Sequence, residues 1–106
     1  MLEINQNDKF ILAENIFLQK ISELGKYWVF NIDTGEHYSL NETSYWILEQ
    51  VAENLPAKNI LKDFLGNFDV DENQGRNDFG EIIKGFLTEG IIKRRGKNEK
   101  RQKKSI

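Results

Sequence analysis

His37 is the one histidine in a chain of 106 residues that has no cysteine. Without a thiolate the chain can build no disulfide, cysteine-held zinc site or iron–sulfur cluster, and it has no cysteine nucleophile. One imidazole cannot make a histidine metal cage, and neither a Gly-x-Ser-x-Gly elbow nor a phosphate-cradling glycine loop is present. Asp69, Asp71 and Glu72 look like part of a calcium loop, but the glycine at position six and the glutamate at position twelve are missing. Glu49 and Glu53 stand four apart on a helix face that reads as solvated, where a pair of carboxylates needs no catalytic role. No nucleophile, base and orienting group can be assembled, so the residues point to a binding module that is not an enzyme, with no cofactor and no metal.

Three features suggest binding chemistry. Trp46 lies about 160° around its helix from Leu48, outside the apolar stripe, which makes it a candidate anchor for a partner enzyme or a second copy of the domain. Gly85 sits inside a helical pattern, where it costs about 1 kcal/mol against alanine; it leaves room for a guest side chain or for close packing on a sheet. The charge is also uneven. Residues 1–92 carry seven basic and sixteen acidic side chains, a balance of −9, whereas residues 93–106 carry eight and one, a balance of +7. That basic end has too few apolar residues to offset the entropy of ordering and reads as a disordered tail.

The apolar fraction of 39% and charged fraction of 30% are those of one soluble globular domain. The longest apolar runs, such as Tyr27–Phe30 and Tyr45–Leu48, are four residues, far short of the roughly 20 that span a bilayer. The acidic start is no signal peptide, so the expected setting is cytoplasmic, with no membrane.

Ile16–Ser22 and Tyr27–Ile32 are β-branched and aromatic around a segment containing Gly25, the pattern of a hairpin. Asp33-Thr34-Gly35 is a turn, and Glu36–Leu40 is a short third strand with one open edge. Asn41 then caps a helix with Ser44, Ile47, Leu48 and Val51 on one face, and Leu40 is placed to staple onto Tyr45. Pro56 separates it from a second helix carrying Ile60, Leu61, Phe64, Leu65 and Phe68. After an acidic linker read as extending through Asn77, a third helix presents Phe79, Ile82, Ile83, Phe86 and Leu87, stops at Gly90, and returns as Ile91-Ile92. The class is α+β: a three-stranded antiparallel sheet followed by three helices. Residues 1–15 form an arm or extra strand, 16–92 the domain and 93–106 the tail.

The stretch Phe30-Asn31-Ile32-Asp33-Thr34-Gly35-Glu36-His37-Tyr38-Ser39-Leu40-Asn41-Glu42-Thr43-Ser44 resembles the strand–turn–strand–helix signature of the PqqD-like family. The resemblance continues through Ile47-Leu48, Ile60 to Phe64, Phe68-Asp69-Val70 and Phe86-Leu87-Thr88-Glu89-Gly90-Ile91-Ile92, covering roughly residues 10–93. It implies a winged helix-turn-helix-like fold without catalytic activity. Such domains bind the leader of a precursor peptide that is ribosomally made and later modified, and present it to a separate enzyme such as a radical enzyme, a peptidase or a cyclase.

By that resemblance the guest adds as a strand along Glu36, His37, Tyr38, Ser39 and Leu40. One margin of the third helix, Asp78, Ile82, Gly85, Phe86 and Glu89, borders the groove; the opposite margin through Ile83 and Leu87 is the alternative. In this strand His37 either senses pH and bonds to the guest or is simply solvated. A winged-helix nucleic-acid binder using the basic tail is the rival, but Asn77–Glu89 carries one lysine against three acids, a balance of −2, which repels a duplex.

Overall fold

A computed structural model describes residues 8–95. In chain order it contains β1 (Lys9–Leu12), β2 (Ile16–Ile21), β3 (Lys26–Asn31), β4 (His37–Leu40), α1 (Glu42–Ala52), α2 (Ala57–Asn67), α3 (Glu72–Thr88) and β5 (Ile92–Arg95). The expected meander is the sheet β2-β3-β4, antiparallel throughout. Its register is pinned at one end by Asn31, whose side-chain oxygen accepts from the Asp33 and Thr34 amides at 3.0 and 3.2 Å and from the Asn15 side chain at 2.9 Å. That side chain shapes the turn before β4, and Gly35 completes it at φ +79°, a conformation that favours glycine.

β1 pairs with β5, Phe10 opposite Arg94 and Leu12 opposite Ile92, in a second, two-stranded sheet. Lys93, Arg94 and Arg95 therefore belong to the fold and not to the tail in which their charge placed them; residues 96–106, the rest of that expected tail, and residues 1–7 of the arm lie outside the described residues. The strand forms despite three consecutive cations because its first residue, Ile92, and the neighbouring Phe10 and Ile91 are buried and because Arg94 pairs with Asp8 while Lys93 stands 3.9 Å from Glu14.

Asn41 caps α1 by accepting from the Ser44 amide at 2.8 Å. Ile47, Leu48 and Val51 of α1 are fully buried and join Phe10, Val29, Ile60, Phe64, Phe79 and Ile83 in one core. The packing also accounts for Trp46: its half-buried ring meets Phe68 edge-on at 5.4 Å and Phe64 at 6.4 Å, because α2 covers the flank of α1 that the periodicity left outward.

Most of the expected 71–77 linker is helix. Asp71 caps α3 by accepting from the Asn73 and Gln74 amides, and the helix starts at Glu72. This first part was hidden because it carries almost no apolar residue; its contact with α2 is made by Gly75, where a β-carbon would stand 2.4 Å from Leu65 Cδ2. At the other end Gly90 takes φ +76°, and the Ile91 amide reaches back to the Phe86 carbonyl at 2.9 Å, turning the chain into β5.

Candidate peptide-binding groove

Among the described residues β4 pairs on one side only, with β3. The Asn31 amide bonds the Glu36 carbonyl at 2.8 Å, and antiparallel alternation then turns the backbone groups of Tyr38 and Leu40 toward β3 and those of His37 and Ser39 toward the bare edge. Side chains alternate in the perpendicular sense. Tyr38, opposite the buried Val29, and Leu40, opposite Tyr27, face α3; His37 and Ser39 face the outer side of the sheet, where the His37 ring lies 5.6 Å from that of Phe30.

Between β4 and α3 lies an open groove of about 550 Å³. Leu40, Ile82, Phe86 and Ile91 give it an apolar lining, Phe86 and Ile91 being buried. Gly85 lines it as well, and a β-carbon added there would meet nothing within 4 Å. The packing alternative for Gly85 is thereby removed: the missing side chain opens onto the groove and not onto the sheet. Tyr38, Ser44, Glu81, Lys84, Thr88 and Glu89 complete the lining.

Of the sequence-derived positions, Tyr38, Leu40, Ile82, Gly85, Phe86 and Glu89 come together at the groove. His37 and Ser39 reach it only through the backbone edge. Glu36 lies just before β4, where its carboxylate accepts from the Tyr38 hydroxyl at 3.2 Å, and Asp78, upstream on α3, accepts from the Gln74 side chain at 2.8 Å. The opposite margin does not line this groove: Ile83 is fully buried, and the lining takes Ile82 and Phe86 from α3 rather than Ile83 and Leu87. Sequence reasoning missed Ser44, Glu81, Lys84, Thr88 and Ile91. Glu81 and Thr88 were discoverable from Gly85, being four before and three after it on one helical face; Ser44 required knowing how closely α1 follows β4.

The electrostatics of the groove are acidic. The Tyr38 phenol is held above the usual tyrosine range, first because its hydroxyl donates to Glu36, then by the charge of that carboxylate, by partial desolvation and by the charge of Glu89. Carboxylates from the strand side and from the helix side thus act on one hydroxyl. No group of three or more histidine, cysteine or acidic side chains able to hold a metal occurs among the described residues.

The model of the family described as coenzyme PQQ synthesis protein D (PqqD) matches residues 26–92, from β3 to the first residue of β5. The chain belongs to the PqqD family. Two solved structures share the PqqD-like fold seen here. One, TbiB1 in complex with the TbiA(beta) leader peptide, superposes with a TM-score of 0.70 at 12% identity over 78% of this chain and 94% of that one. The other, lasso peptide synthetase B1 complexed with the leader peptide, gives 0.69 at 14% identity over 80% and 98%. No curated protein matches the chain in sequence. Outside the PqqD match lie β1, β2 and all of β5 but Ile92, so the two-stranded β1–β5 ribbon falls mostly beyond the matched segment.

Proposed function

We propose that the protein captures an extended segment of a precursor peptide's leader as a strand added to β4, in the groove closed by α3, and presents the precursor to a separate modifying enzyme. The observation that carries this reading is the bare edge of β4 beside an apolar groove. An extended peptide there gains main-chain hydrogen bonds from His37 and Ser39, while its alternate side chains enter the space over Gly85 and Phe86. Membership of the PqqD family and the two similar structures, each with a leader peptide, support it. The protein's part is to bind and orient; bond-making belongs to the partner enzyme. A nucleic-acid role has no support in α3, whose groove face carries Glu81 and Glu89 against Lys84.

The test is a titration of the isotopically labelled protein with the leader of its precursor peptide, sought among short reading frames next to its gene, followed by amide resonances. Binding as described shifts His37, Ser39 and the 81–89 segment of α3 and leaves the β1–β5 ribbon unmoved. Saturable binding with those resonances undisturbed would place the leader elsewhere and end the proposal.

A further inference from the structure

The charges around the groove say more about the guest than its apolar floor does. Glu81, Gly85 and Glu89 are spaced four residues apart on α3 and its cap, about 40° further around the axis at each step, so they form one slanting ridge on the groove side of the helix. At 1.5 Å per residue the two carboxylates are about 12 Å apart along the axis, with the open glycine midway. Glu36 approaches from the strand side through Tyr38. Among the described residues none of these three carboxylates is in an ion pair, although four other acids, Asp8, Glu14, Glu49 and Glu72, are. Among the described residues that line the groove Lys84 is the one cation, so this rim is net negative. A guest laid over it without positive charge partly desolvates these carboxylates and gives nothing back, and an acidic guest is repelled.

An extended chain advances about 3.3 Å per residue and shows every second side chain to the same face. About four residues therefore span the distance from Glu81 to Glu89, and positions i−2, i and i+2 of the guest all point into the groove. We infer that the segment selected here is basic, with an apolar residue over Gly85 and a lysine or arginine two positions before and two after it, opposite Glu81 and Glu89. The inference rests on the strand-addition reading and specifies the chemistry of what is added.

Three capped peptides test it: acetyl-Thr-Lys-Val-Leu-Val-Lys-Thr-amide and its counterparts with both lysines replaced by glutamine or by glutamate. Binding to the full chain is read from the amide shifts of Ser39 and Gly85. The lysine peptide binds about fourfold more tightly than the glutamine peptide, two exposed ion pairs each accounting for about a twofold change, and the glutamate peptide binds most weakly. The spread narrows at high salt. In the variant Glu81→Lys with Glu89→Lys, checked for folding by circular dichroism, the order inverts. Equal affinity of all three peptides, with Ser39 and Gly85 shifting each time, overturns the charge inference and leaves strand addition standing. No shift with any peptide at millimolar concentration overturns both. Shifts that follow protein concentration and ignore the peptides would assign the groove to a second copy and likewise overturn both.

Discussion

The two sheets treat their edges in opposite ways. Along β1 the chain seals its own rim: the Ala57 amide donates to the Asp8 carbonyl at 2.8 Å, Lys9 bridges to Pro56, and β5 takes the other side. Its charges are matched too, Arg94 with Asp8 and, at 5.5 Å, over the face of the Phe10 ring. Along β4 neither is done. Among the described residues no strand pairs with its outer side, and neither Glu81 nor Glu89 is in an ion pair. A chain that closes one rim with a loop and neutralises the acids beside it has the means to close the other. The difference teaches that, of these two rims, the one beside the apolar groove is left without internal pairing, and its four-residue length limits the aggregation hazard that a bare edge carries.

If the ribbon is part of the core and not a flap, its removal from the packing is the largest effect to expect. Phe10 is fully buried, so Phe10→Ala should cost about 3–5 kcal/mol of stability, read as a large fall in the denaturant midpoint at unchanged slope. A loss under about 1 kcal/mol would make β1–β5 peripheral and dissolve the contrast.

The open rim is probed next. By the alternation along β4 the Ser39 amide points away from β3, so Ser39→Pro removes a donor only from the guest. Affinity for the leader should fall about tenfold, the worth of a good hydrogen bond, with the melting temperature nearly unchanged. Tyr38→Pro, one residue earlier, should destabilise the sheet instead, because that amide faces β3. Equal behaviour of the two variants in both assays would refute the assignment of inward and outward residues.

A smaller contrast lies within α3. At Gly75 an added methyl meets Leu65 and Val70 at 2.4 and 2.8 Å, while at Gly85 it meets nothing. Gly75→Ala should therefore lose about 1 kcal/mol, overpacking outweighing the gain in helix propensity. Gly85→Ala should gain about 1 kcal/mol, since propensity acts there unopposed. Gly85→Leu should retain stability and weaken the leader, by filling the space over the helix. Thermal melts of the alanine pair with opposite signs support the division of this helix into a packed half and an open half; matching signs remove it.

The meander and helix order were legible because they rest on local rules: alternating apolar strands, the Asn41 cap, the Pro56 break and the Gly90 stop. The groove was legible through the family resemblance, which pointed to the third strand and one margin of the third helix and so named Tyr38, Leu40, Ile82, Gly85, Phe86 and Glu89 among the residues that line it. What stayed hidden depends on contacts distant in sequence. Lys93-Arg94-Arg95 read as tail because their strand exists only through β1, more than eighty residues earlier. The start of α3 was masked by Gly75, whose packing role is invisible until Leu65 lies across it. Trp46 read as an outward anchor because helix periodicity knows one face, whereas α1 is covered on two.

The last and smallest effect uses Tyr38 as a reporter of both walls. Its phenol is raised above the ordinary value near 10 chiefly by the hydrogen bond to Glu36, with Glu89 adding its charge from the helix. A phenol whose folded value exceeds its unfolded one contributes stability fully present below pH ~10, lost as pH rises through the folded value. Glu36→Gln should move the Tyr38 ring-carbon titration down toward the ordinary range, and Glu89→Gln should move it the same way by less. A lysine-bearing guest, setting a cation against Glu89, should also lower it, whereas the glutamate-bearing guest should raise it. Guests that bind at Ser39 yet leave this titration unchanged would mean that the added strand stops short of Glu89, so that the open rim and the acidic rim are two separate features of the protein.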